Sequence, residues 1–202
     1  MNLTYADFVS NVLDALRGGA TLWARTPGQP YDRIDNDETT LTFELQRFMN
    51  DYMRRGGLMM QARVERFVPT PDITMRKKAP KKAGRVDIVV EAGTIPYLFA
   101  LQIECKRLNV RGGPVAYVRH GVNRFTLGKY VTQCGVAAMA AFSAGTNQST
   151  YLAAVNGALP RAERIANAGG SPVPPMCFSG TSSHAVTADG KVAIWHQWIA
   201  GP

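Results

Sequence analysis

Three charged side chains stand where an apolar sheet would run out. Asp87 lies early in Arg85-Val86-Asp87-Ile88-Val89-Val90, and Glu104 and Lys106 lie late in Ala100-Leu101-Gln102-Ile103-Glu104-Cys105-Lys106. Side chains alternate along a strand, so Glu104 and Lys106 share one face while Ile103 and Cys105 take the other. Two carboxylates at one end of a sheet can hold a divalent cation, Mg²⁺ or Mn²⁺, through oxygen, with water and a substrate phosphate completing the shell. Such a cation polarises a phosphoryl oxygen and lowers the pKa of its bound water. A lysine beside the second carboxylate can orient that water, help to deprotonate it, or balance charge building on the phosphate. Asp87, Glu104 and Lys106 together describe a centre for phosphodiester hydrolysis, with Asp87 and Glu104 as the metal ligands.

The spacing predicts the elements that must position this trio. A helix is expected over Thr4 to Leu16, with Phe8, Val12 and Leu16 on one stripe and Gly18-Gly19 ending it. After a Pro/Gly loop from Thr26 to Asp35, a second helix is expected from Asn36 or Asp37 to Arg55, stopped by Gly56-Gly57. Its apolar face is Leu41, Leu45, Phe48, Met49 and Tyr52. Strands are expected over Leu58 to Val68, Arg85 to Glu91 and Tyr97 to Lys106, and Asp87 comes opposite Glu104 if the reversal centres near Ile95-Pro96. Pro114 then suits the start of a helix with Val115, Val118 and Val122 as its stripe, and Val136 to Phe142 reads as a buried strand. A helix from Ser149 to Asn167, kinked or split by Pro160, precedes a hairpin of Met176 to Val186 and Lys191 to Trp198. Strands alternating with helices around a mixed sheet point to an α/β domain, bordering on α+β. One domain is expected over 1–202: a core of about 36–145, an N-terminal helix and loop before it, and a helix and hairpin after it.

Composition narrows the function classes. The formal charge is +8, and Arg76, Lys77, Lys78, Lys81, Lys82 and Arg85 crowd into one stretch just ahead of Asp87. Such a cluster can draw in a phosphate backbone, although a charge run is also read as a solvated loop. Cys105, Cys134 and Cys177 lack metal-type spacing, and an odd count is a poor disulfide framework, so a reducing, cytoplasmic setting is expected. Neither a secretion signal nor a membrane span is visible. There is no phosphate-binding loop of the G-x-x-x-x-G-K-S/T type, so any NTPase motor would be a partner. His184 and His196 have too few companions for zinc and read as structural histidines.

Asp87, a strand turn, then Glu104-Cys105-Lys106 resembles the PD-(D/E)XK nuclease superfamily, over roughly Asn36 to Ala144. The resemblance implies a restriction-endonuclease-like three-layer core, Asp87 and Glu104 as metal ligands, and Lys106 as the catalytic lysine. Val86 stands where the family pattern has proline. Members often add an acid from the preceding helix, for which Glu38 and Glu44 compete. At 100° per residue the Leu41, Leu45, Phe48 and Tyr52 stripe points in nearly the direction of Glu38, which is therefore preferred; Glu38 could also simply complement the helix dipole. Ala116 to Tyr130 is similar to a segment of small bacterial defence-associated members, with its His120-Gly121, Arg124-Phe125 and Gly128-Lys129-Tyr130. There Arg119, Arg124 and Lys129 could grip phosphates and Tyr130 could stack on or hydrogen-bond to nucleic acid, unless they form only a solvated helix face. Gln133 falls where some exonuclease-like members carry a glutamine.

The expected activity is metal-dependent cleavage of nucleic acid, DNA before RNA, with a homodimer suiting double-strand cutting and a defence-system protein as a further partner. Two alternatives stay open: a nucleic-acid-binding subunit that does no chemistry, and a structural domain whose acid and lysine form only a salt bridge.

Overall fold

The computed structural model of the chain describes residues 3–26, 38–67, 85–93, 98–130, 132–144, 148–170, 177–186 and 190–201. Among them, β1 (Met60–Phe67), β2 (Arg85–Ala92), β3 (Phe99–Arg107), β4 (Val136–Ala144), β5 (Ala166–Gly170), β6 (Cys177–Val186) and β7 (Gly190–Gly201) form one seven-stranded sheet, ordered β1-β2-β3-β4-β7-β6-β5. β3, β4 and β7 run parallel at the centre, and antiparallel strands flank them on both sides. Helices on both faces complete an α/β three-layer architecture.

Each layer follows from a face the sequence makes apolar. On one side α1 (Tyr5–Ala24) and α2 (Glu38–Arg55) bury Phe8, Val12, Leu16, Leu41, Leu45 and Met49 against Ile88, Val90, Leu101 and Ile103. On the other, α3 (Gly113–Tyr117) passes through a π-helical turn (Val118–Val122) into α4 (Asn123–Thr126), and α5 (Gln148–Ala158) lies beside it. Tyr117, Val122, Phe125 and Val155 pack there against Val89, Met139, Ile194 and Trp198. No helix among the described residues is long and apolar enough to cross a membrane.

The first helix does not end at Gly18-Gly19. A Thr4/Asp7 capping box starts it, and it continues through the glycines to Ala24, burying Trp23. The glycines serve packing instead: a Cβ on Gly19 would lie 2.8 Å from the Met49 backbone nitrogen and 2.9 Å from its Cα, so α1 and α2 touch backbone to backbone here. Gly19→Ala therefore sets a helix-propensity gain of about 1 kcal/mol against overpacking of about 1–3 kcal/mol. The clash is with backbone, which cannot rotate away, so a lower thermal midpoint is expected; an unchanged or higher one would show propensity winning.

Other differences have equally local causes. Tyr52 is exposed, and Met53 takes the buried place expected for it. The π turn shifts the phase of the segment after Pro114, so Val115 points outward while Tyr117 and Phe125 turn inward with Val118 and Val122. The helix expected to reach Asn167 stops at Ala158, because Pro160 denies the next turn its N–H and biases Leu159 away from helical angles; the chain re-enters the sheet as β5. The expected reversal near 95–96, the first two residues of the hairpin turn expected at Ala188-Asp189-Gly190, the cap at 36–37, most of the 26–35 loop and the basic residues Lys77, Lys78, Lys81 and Lys82 lie outside the described residues.

His184 and His196 take part in a buried hydrogen-bonded chain. Trp198 Nε1–H donates to the Tyr117 hydroxyl at 3.3 Å, and that hydroxyl is hydrogen-bonded to His196 Nδ1 at 2.6 Å. His196 Nε2 is hydrogen-bonded to Ser182 Oγ, and Ser182 Oγ to His184 Nε2, both at 2.6 Å. His184 Nδ1–H ends the chain on Glu163 Oε2 at 2.9 Å. Burial, with His184 adding to it, holds the His196 pKa down at about 3, keeping it neutral. The chain ties α3 to β6, β7 and the turn after α5.

Candidate active site

Lys106 is the centre around which the acidic residues gather. Its Nζ lies 2.8 Å from Glu38 Oε1, 3.0 Å from Glu104 Oε1 and 3.5 Å from Asp87 Oδ2, and it donates to the Cys105 carbonyl at 2.5 Å. α2, β2 and β3 thus each contribute a carboxylate to one ammonium. The β2/β3 register explains Asp87: one step beyond the Ile88↔Ile103 pair it comes level with Glu104 and Cys105, and its Oδ2 accepts the Cys105 N–H at 2.7 Å. Glu38 reaches in from the first turn of α2, its Oε2 accepting the Arg107 N–H at 3.1 Å, which pins that helix end to the end of β3.

Glu104 is held from its other side by residues of the segment after Pro114. Arg124 Nη1 donates to Glu104 Oε1 and to the Tyr130 hydroxyl, each at 2.6 Å, and that hydroxyl donates to Glu104 Oε2 at 3.0 Å. The helical segment can approach because Gly121 has no side chain: a Cβ there would lie 2.3 Å from Met139 Cε and 3.6 Å from Lys106 Cγ. Parallel pairing of β3 with β4 places Met139 beside Glu104, so the Gly121 contact bears on the sheet at the site itself.

Burial sets the electrostatics. Glu104 is fully buried, and desolvation, with the neighbouring Asp87 charge adding to it, pushes its pKa up to about 7 despite Lys106 and Arg124. Burial likewise raises Asp87, against the pull of Lys106. For Lys106 burial works the other way, but Glu104, Asp87 and Glu38 outweigh it and its pKa rises. Lys106 therefore stays an ammonium throughout the range in which Glu104 titrates. The Tyr130 hydroxyl is raised by burial and then by the Glu104 charge, which keeps its proton available for donation.

Asp87, Glu104, Lys106 and Glu38 thus come together in one site, whereas Glu44 pairs with Arg47 at 2.6 Å away from it. Arg124 and Tyr130 sit inside the site on Glu104, and Tyr130 is buried edge-on to Phe125, leaving its ring no open face for stacking. Arg119 and Lys129 are exposed. Gln133 clips the start of β3, accepting the Ala100 N–H at 2.8 Å through its side chain, while its carbonyl accepts the Tyr5 hydroxyl at 2.7 Å. Sequence reasoning missed the Gly121 contact and the grip of Arg124 and Tyr130 on Glu104. The only signal for either was the mixture of base, aromatic and glycine in that segment.

Among the described residues no group of three His, Cys, Asp or Glu side chains forms a ready metal cage; Asp87 and Glu104 meet across the Lys106 ammonium. The donor chemistry nonetheless suits a hard divalent cation. Magnesium sites commonly use one or two protein carboxylates, and here burial raises the pKa of both Asp87 and Glu104, with the Asp87 charge raising Glu104 further, so a positive charge beside them favours their ionised forms. No family model, curated protein or solved structure matches the chain.

Proposed function

We propose that this chain is a metal-dependent nuclease of PD-(D/E)XK type that hydrolyses phosphodiester bonds, in DNA before RNA, in the cytoplasm and in the setting of bacterial anti-phage defence. The observation that carries the reading is Lys106 in contact with carboxylates from α2, β2 and β3 at one end of the sheet. Charge beside the site adds support. From Cys105 to Ala162 the chain has no Asp or Glu, while Lys106, Arg107, Arg111, Arg119, Arg124, Lys129 and Arg161 fall within that stretch. Of these, Arg111, Arg119, Lys129 and Arg161 are exposed, and exposed cations with no acid in the same stretch suit a polyanion.

The geometry supports a role for each residue. Asp87 and Glu104 are the residues that would hold a divalent cation, which supplies Lewis-acid polarisation of a phosphoryl oxygen and an acidified water. Lys106, kept charged by its three carboxylates, acts as a donor: it orients the attacking water and stabilises charge on the phosphate, and has no lone pair with which to take a proton. Glu38, the one of the three carboxylates not assigned to the cation, aims the ammonium and can take the nucleophile's proton through solvent water. Arg119 and Lys129 meet the backbone away from the scissile bond.

The test is incubation of the purified chain with supercoiled, linear and single-stranded DNA and with RNA, under Mg²⁺, Mn²⁺ or chelator, beside Asp87→Asn. Cleavage that needs the cation and is lost in the variant is expected; cleavage by Asp87→Asn at the wild-type rate would overturn the assignment. A second reading, a binding subunit without chemistry, draws on the fact that both Glu104 oxygens are already bonded by Lys106, Arg124 and Tyr130. Salt-sensitive DNA binding with no cleavage under any cation would favour it.

A further inference from the structure

We propose that Arg124 competes with the divalent cation for Glu104, and that cation binding releases its guanidinium to the substrate phosphate. The inference rests on the metal-dependent reading above and concerns how that site is switched on. Glu104 Oε1 receives Arg124 Nη1 at 2.6 Å and Lys106 Nζ at 3.0 Å, and Oε2 receives the Tyr130 hydroxyl at 3.0 Å. With the Glu104 side chain 0% exposed, a cation reaches these oxygens only by displacing a donor.

The three donors are not equally held. The Lys106 side chain is 10% exposed and is tied to Glu38, Asp87 and the Cys105 carbonyl as well. Tyr130 is buried against Phe125, with a ring-centroid distance of 5.3 Å. Arg124 is 35% exposed, stands on the four-residue α4, and has only the Tyr130 hydroxyl and ring besides Glu104 among its described polar contacts. It is the donor with the least to lose and an open route outward.

Charge balance favours the same choice. Three carboxylates, Glu38, Asp87 and Glu104, face two cations, Lys106 and Arg124. A divalent ion together with Lys106 neutralises the three carboxylates, which leaves Arg124 surplus. A guanidinium freed at the mouth of the site has the planar fork that pairs with phosphate oxygens. Cation binding and substrate binding would then be coupled through one side chain, with the nucleic acid drawing Arg124 further from Glu104 and tightening the hold on the cation.

The experiment measures Mn²⁺ binding to the full chain by electron paramagnetic resonance, without nucleic acid, for wild type, Arg124→Gln and Asp87→Asn, with thermal melts of each. Arg124→Gln is expected to bind Mn²⁺ about tenfold more tightly, since a charge-assisted competitor is gone. It is also expected to cleave more slowly. Equal or weaker Mn²⁺ binding would overturn the proposal and make Arg124 a support for Glu104. If the glutamine variant melts below the assay temperature, Arg124→Lys serves: lysine cannot span Glu104 and the Tyr130 hydroxyl together, so affinity still rises, by less. Wild-type binding that Asp87→Asn leaves unchanged would instead remove the metal-dependent reading itself.

Discussion

Replacing Lys106 with methionine is expected to abolish cleavage and, in chelated buffer, to weaken the fold by about 2–4 kcal/mol, with part of that loss recovered when Mg²⁺ or Mn²⁺ is added. The substitution keeps the apolar stem beside Gly121 and removes only the ammonium. Glu38, Asp87 and Glu104 then face one another with Arg124 alone to offset them. Breaking a buried pair by deleting one partner typically costs about 3–5 kcal/mol; protonation of Glu104, already raised to about 7, relieves some of it. A cation that binds the folded state restores stability by mass action, so thermal melts with and without Mn²⁺ separate this picture from an ordinary salt bridge. An exposed acid-lysine pair contributes about 0–1 kcal/mol and would show no cation-dependent rescue. For the rate, losing one preorganised donor aimed at developing negative charge costs roughly 10²–10³. A variant within a few-fold of wild-type activity would remove Lys106 from the chemistry.

The parts of this site that were legible in the sequence are those fixed by short-range periodicity. Period-two alternation put Glu104 and Lys106 on one face, and an antiparallel reversal near 95–96 was enough to bring Asp87 level with Glu104, as the Ile88↔Ile103 register does. The 100° step of a helix singled out Glu38 over Glu44 because the buried stripe of α2 fixes which way its first turn faces. What could not be read depended on contacts between elements. Gly18-Gly19 has the composition of a helix stop, yet α2 lies against it, with Tyr52 in the space a Gly18 side chain would take and Met49 in that of Gly19. The π turn at Val118–Val122 adds a residue to the helical phase, turning Val115 outward and Tyr117 inward, and no local propensity marks it. Arg124 and Tyr130 read as surface residues because the acid they hold is distant in the chain; that partner, Glu104, is on β3, some 20 residues and more before them.

Cleavage is expected to rise with pH across an acid limb centred near pH 7, falling about tenfold per unit below it, in the same range where the apo fold is losing stability. Both halves follow from Glu104. Its pKa is raised from 4.5 to about 7, chiefly by burial and then by the Asp87 charge. The native state therefore holds the Glu104 proton more firmly than the unfolded chain. Its contribution to stability is complete below pH of about 4.5 and is lost as the pH climbs through about 7. Catalysis needs the opposite form, since a carboxylate must be ionised to ligate a cation. Proton and cation compete for the same oxygens, so raising Mn²⁺ should move the limb to lower pH, while a group remote from the cation would leave it fixed. Lys106 does not titrate in this window, because its three carboxylates raise its pKa further from neutrality. Glu104→Gln removes the titrating group, and with it the acid limb and most of the rate. Rates measured from pH 5.5 to 8.5 at two Mn²⁺ concentrations decide the matter: a limb that ignores the cation, or a profile flat from pH 5.5 upward, would mean that Glu104 neither holds the ion nor limits the reaction.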